Sequence, residues 1–188
     1  MNLKKIYSFE ASPQNFQTLK KNISKNHSNK VKIYNFGVGA EIGKNYINQT
    51  IETSSSTINQ LNKQSKYLKK KLKILNIKNE NSFYHKVPIK ILTLDSFIEE
   101  NKIQCVDLLK IDTEGYEFNV LKGLSKYSKK VKIIYFEHHY DDMIIKDYKF
   151  SNIHKLLKDY GFTMIKKSKM MFRKSFEYVY ENQKNKKF

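Results

Sequence analysis

The sequence predicts a doubly wound, mostly parallel α/β sheet with helices on both faces. Short runs rich in β-branched and aromatic residues alternate with stretches whose apolar residues recur every three or four positions. Three of the apolar runs end in acidic residues, as strands do when their carboxyl ends line a ligand crevice. The length of 188 residues suits one core. The reading is a single domain over residues 1–182 with a basic tail over 183–188, and no internal repeat or linker.

Each element follows from local chemistry. Ile6-Tyr7-Ser8-Phe9 is a short strand, and Ser12-Pro13 supplies an N-cap and a first-turn proline for a helix carrying Phe16, Leu19 and Ile23 to about Lys25. Val31 to Val38 reads as the next strand, closed by Gly37 and Gly39. A possible strand at Asn45–Asn48 precedes the polar stretch Ser54-Ser55-Ser56. Ile58, Leu61, Leu68, Leu72 and Leu75 then fall on one helical face, with lysines crowding the rest. That pattern suits a helix laid on the sheet or one lying on a membrane surface, and the absence of tryptophan or phenylalanine anchors favours the sheet.

Val87–Ile91 reads as a strand, Thr93 caps a short helix through Phe97 and Ile98, and Val106–Ile111 is a buried strand ending at Asp112-Thr113-Glu114-Gly115. A helix through Phe118, Leu121 and Leu124 leads to a strand at Val131–Phe136 that ends at Glu137. Ser151 caps a helix stopping at Gly161. Phe162–Ile165 and Phe176–Tyr180 are two closing strands.

Composition bounds the function. No apolar run approaches the roughly 20 residues of a bilayer span, and no signal-peptide core follows Met1. Cys105 is the only cysteine, which excludes an intrachain disulfide and a cysteine-based zinc site and points to the cytoplasm. The net charge of +18 suggests a nonspecific nucleic-acid binder as one rival reading. Against it, Arg173 is the only arginine among 36 basic residues, and bidentate readout of guanine or phosphate favours arginine. No specific nucleic acid is expected. His138 and His139 lack further residues at ligand spacing, so no metal is expected either.

Glu10 stands where a carboxylate after a strand can accept both hydroxyls of a ribose, although it equally suits a capping charge at a helix start. The block Val106 to Gly115 reads VDLLKIDTEG and is followed by Glu117 and a Val120-Leu121-Lys122-Gly123 turn. With Ser8-Phe9-Glu10-Ala11-Ser12-Pro13, Thr93-Leu94-Asp95, the serine cluster, Glu137 and Asp159-Tyr160-Gly161-Phe162 in order, the chain resembles the FkbM family of S-adenosylmethionine-dependent methyltransferases over nearly its whole length.

The resemblance implies a class I methyltransferase (Rossmann-like) fold and methyl transfer from S-adenosylmethionine to a hydroxyl of a sugar or another small metabolite. It places Glu10 at the ribose and Gly37, Val38 and Gly39 beside the adenine. Asp112 becomes the candidate base or acceptor-orienting residue, with Glu114 second and Lys110 an electrostatic partner. Alternatively, Glu114 caps the next helix and Lys110 neutralises Asp112. Ala11 replaces the family's proline, and the strand and glycine-rich turn that open such folds do not occur before residue 37. The expected sheet is therefore N-terminally truncated, with two interior strand edges unpaired. A catalytically inactive domain that only packs on a partner is the competing reading.

Overall fold

The computed structural model describes residues 4–24, 29–52, 55–78, 82–171 and 174–183. Ser54, Arg173 and the tail beyond residue 183 lie outside them. Strand β1 (Ile6–Phe9) leads into helix α1 (Pro13–Ser24) and returns as β2 (Val31–Tyr34), parallel to β1. Ser12 caps α1 as its position implies: its hydroxyl accepts a hydrogen bond from the Asn15 amide at 3.1 Å.

The strand expected over 31–38 breaks after Tyr34. Asn35 turns its side-chain amide onto the Glu10 carbonyl at 2.9 Å, and β3 (Gly37–Val38) departs to pair with β5 (Tyr84–Leu92). Strand β4 (Gly43–Thr50) runs antiparallel along β5 and is longer than the sequence pattern suggests.

The leucine stripe forms a shorter helix than expected. Helix α2 (Lys66–Ile74) starts at Ser65, whose hydroxyl accepts from the Leu68 amide. Upstream, Thr57 and Leu61 form isolated bridges with Asn48 and Ile144 instead of joining the helix. Leu68 and Leu72 pack on Leu61, Phe83, Met143 and Ile144, so this stripe faces protein.

Helix α3 (Leu94–Glu100) is capped by Thr93, as expected. Strand β6 (Val106–Ile111), helix α4 (Glu117–Lys122) and strand β7 (Val131–His139) follow. Helix α5 (Phe150–Asp159) is preceded by Lys149 at its cap, not Ser151, because Asn152 in the first turn accepts from the Lys149 amide at 2.8 Å. The helix stops before Gly161 at φ +92°. Strands β8 (Phe162–Lys169) and β9 (Ser175–Asn182) close the chain in the order β6-β7-β9-β8.

The fold is α/β, but its sheets are mixed instead of mostly parallel. β6 and β7 are parallel, whereas β9 inserts antiparallel between β7 and β8 because β8 returns as a hairpin. Among the named strands β1 pairs only with β2 and β6 only with β7, so each carries an edge with no strand on it. Coverage is one-sided as well. Leu94, Ile98, Val120, Leu121, Ile153 and Leu157 pack against Ile111, Ile134, Phe136, Tyr178 and Tyr180, while Leu108 on β6 is 56% exposed. No helix among the described residues is long and apolar enough to cross a membrane.

Candidate active site

Two groups of predicted site residues sit at carboxyl ends of strands. Glu10 extends the β1–β2 ladder, donating its amide to the Tyr34 carbonyl at 3.0 Å, and its Oε1 accepts from the Ser12 amide at 2.8 Å. Burial pushes the Glu10 carboxyl above its ordinary pKa, against the opposing pull of the Ser12 amide.

Gly37 lies beside it. A Cβ on Gly37 would stand 2.6 Å from Ile91 Cδ1 and 3.5 Å from the Ala11 methyl. At Gly39 a Cβ would meet Ile91 Cγ2 at 2.9 Å and the Tyr116 ring at 3.2 Å. The Gly37–Gly39 segment therefore links the Glu10 turn to the loop after β6, with half-buried Val38 packed on the main core.

The loop after β6 is tightly held. Glu114 adopts φ +47°, a left-handed conformation that costs a non-glycine residue about 1–2 kcal/mol, and Gly115 follows at φ +92°. Thr57 donates its hydroxyl to the Glu114 carbonyl at 2.7 Å, and Asn59 donates its amide to the Gly115 carbonyl at 2.6 Å. Glu117, 1% exposed, accepts from the Gly115 amide at 2.8 Å, the Thr113 hydroxyl at 3.1 Å and the Tyr148 hydroxyl at 2.7 Å. The position before α4 is Tyr116, without a side-chain capping bond, and Glu117 holds the loop, so Glu114 makes no cap on that helix.

The surroundings of Glu114 are set by β7. The register pairs Ile111 with Phe136, so Glu114 and His139, each three residues further on, arrive at the same level. Residues 137 and 139 share one face of the strand while His138 points to the other. His139 Nε2 lies 3.6 Å from Glu114 Oε2 and 3.5 Å from Glu137 Oε1, and its Nδ1 lies 3.6 Å from Asp141 Oδ2. Lys146 donates its ammonium to the His139 carbonyl at 2.5 Å. His139 Nε2 and Glu137 Oε1 are buried without a hydrogen-bond partner.

These surroundings set the protonation states. Burial pushes Glu114 up to about 7; the charge of His139 opposes it, while Asp112, Glu137 and Glu117 add to it. Burial alone would discharge His139, but Asp141, Glu114 and Glu137 together raise it. His138 goes the other way: burial, with Lys146 and His139 nearby, lowers it to about 4. Its ring stands among those of Tyr140, Tyr148 and Phe150, an ordinary packing role.

Asp112 and Lys110 are exposed by contrast, 46% and 57% at the side chain, and pair loosely at 3.4 Å. Such an ion pair contributes little to stability. The arrangement offers an exposed carboxylate at the rim and a buried carboxylate–imidazole cluster beneath it, able to take up a proton near neutral pH. The described residues contain no group of three or more side chains arranged to hold a metal ion. Sequence reading overlooked Thr57, Asn59, Asp141, Lys146 and Tyr148, which lie in loops without periodicity. Glu117, next to the diagnostic block, was visible, but its buried role was not.

The FkbM methyltransferase domain matches residues 1–164, and the chain belongs to that family. A curated protein named Methyltransferase 1, from Beauveria bassiana (strain ARSEF 2860), is 28% identical over 123 residues; the match covers 63% of this chain and 48% of that protein. The chain thus matches about half the length of that relative. A solved structure described as a SAM dependent methyltransferase from Aquifex aeolicus aligns over 96% of this chain and 85% of its own, with 17% identity and a TM-score of 0.40.

Proposed function

We propose that this domain binds S-adenosylmethionine and methylates a hydroxyl oxygen of a sugar or another small metabolite. The observation that carries this reading is the buried Glu114 cluster at the ends of β6 and β7, a proton acceptor built into a methyltransferase-family chain. The residues present fit the nucleoside half of the cofactor. Glu10 keeps one oxygen on the Ser12 amide, and a second acceptor oxygen suits ribose hydroxyls. Gly37, Val38 and Gly39 form the adjoining wall for adenine. When bound, S-adenosylmethionine supplies an electrophilic methyl group on a sulfonium.

The protein's own part is positioning and proton transfer. Asp112 orients the acceptor hydroxyl from the rim, Lys110 balances its charge, and Glu114 takes the hydroxyl proton in the shielded cluster. A carboxylate poised near 7 suits that task at neutral pH. Among the described strands β1 and β6 each keep an edge with no strand on it, which favours a second reading, an inactive domain that docks on a partner. Calorimetry with S-adenosylhomocysteine separates the two. Glu10→Ala should weaken binding by about 1.5–3 kcal/mol, the range for hydrogen bonds to a charged group. A folded wild-type chain that does not bind the ligand supports the inactive domain, and unchanged affinity in Glu10→Ala removes Glu10 from the ribose.

A further inference from the structure

His139 is 8% exposed, yet its Nε2 makes no hydrogen bond and points between two carboxylates. A buried polar atom left without a partner costs about 1–3 kcal/mol, so the arrangement calls for an explanation. Structural need does not supply one, because the loop is already tied by Glu117, Thr57, Asn59 and Tyr148. We propose that His139 is a positioning residue for Glu114: its imidazolium faces the Glu114 carboxylate and holds it as the ionised acceptor of the proton leaving the hydroxyl to be methylated.

This rests on the methyltransferase reading and assigns its proton path. As the acceptor oxygen bonds to the methyl carbon, the carbon–sulfur bond would break and its electron pair would leave with sulfur as a neutral thioether, while the O–H bond breaks, its electron pair stays on oxygen and the proton ends on Glu114. His139 keeps its own proton throughout. The charged and titratable groups around the pair are Glu137 on the same face of β7, His138 on its opposite face, Asp141 and Lys146 in the following loop, Asp112 beyond β6 and Glu117 on α4. Asp141, Glu114 and Glu137 hold His139 charged against the effect of burial, and Lys146 is bound to the His139 carbonyl.

The test is a carboxyl carbon NMR titration of Glu114 in the full chain without cofactor, comparing wild type with His139→Gln. Removing a cation at this range should move the Glu114 midpoint up by about one pH unit or more. In an active preparation the acid limb of the turnover profile should move up with it. Should His139→Gln fail to fold, Asp141→Asn keeps the imidazole, weakens its charge and should move Glu114 in the same direction by less. A Glu114 midpoint unchanged in folded variants overturns the proposal, as does a His139 signal displaced by added Mg²⁺ or Zn²⁺, which would assign the cluster to a cation. Because the titration needs no cofactor, a failure to bind S-adenosylhomocysteine with the coupling intact would count against the methyltransferase reading alone.

Discussion

Replacing Gly123 with alanine should destabilise the protein, and the reason lies across the molecule instead of in the turn. Gly123 follows α4 with φ −73°, a backbone conformation alanine accepts, so no left-handed strain is involved. Left to local effects, Gly→Ala would stabilise by about 0.4–1 kcal/mol through the unfolded chain. The added Cβ, however, would sit 2.1 Å from the carbonyl oxygen of Gly39, with Thr93 Cβ at 3.4 Å behind it. That is at least about 1 Å short of an ordinary contact, and the oxygen it meets belongs to the backbone. Overpacking costs about 1–3 kcal/mol, and so close an approach to backbone belongs at the upper end, which leaves a net loss of about 2 kcal/mol after the local gain. For a chain of this size the melting temperature should fall by about 2–8 °C. Thermal denaturation followed by circular dichroism reads this, with Gly43→Ala as control because nothing lies within 4 Å of its Cβ. A Gly123→Ala melting temperature at or above wild type would refute the close approach of Gly39 to Gly123. If Gly39 also walls the adenine, S-adenosylhomocysteine affinity should drop with stability.

Two further outcomes follow from the same region. Glu117→Ala strands the Gly115 amide and the Thr113 hydroxyl, each at about 1–3 kcal/mol, while the Tyr148 hydroxyl keeps the Gly115 carbonyl as acceptor, so urea denaturation should show a loss of several kcal/mol. Glu117→Gln, which keeps one acceptor, should lose less, and equal losses would contradict the hydrogen-bond account. His138 is held neutral with its pKa lowered to about 4, so the unfolded chain binds more protons between about 4 and 6.5, and acidification through that window destabilises the fold. His138→Phe removes that titration and an unpartnered Nδ1. It should raise the melting temperature more at pH 5 than at pH 7, and an equal gain at both would show that His138 is not the titrating group.

The strand, turn and helix around VDLLKIDTEG were legible because each depends on neighbours within a few residues: an apolar β-branched run, a Gly for the φ +92° position, and apolar residues at helical spacing. Glu10 was legible for the same reason, standing between a strand and a Ser-Pro helix start. Helix lengths and strand partners were less so. The leucine stripe from Ile58 to Leu75 has helical periodicity throughout, yet the bridges of Thr57 to Asn48 and Leu61 to Ile144 claim its first turns for β pairing. Sequence alone thus determined the α/β order of elements, the carboxylates after β1 and β6, and the absence of an intrachain disulfide. Only the tertiary structure decided which carboxylate is buried. Asp112 and Glu114 are two residues apart and chemically alike, but the parallel register of β6 on β7 carries Glu114 to His139, 25 residues downstream, and leaves Asp112 at the rim. That choice belongs to strand pairing and to loops such as Thr57–Asn59, whose hydrogen bonds to the Glu114 turn span more than 50 residues and leave no periodic mark in the chain.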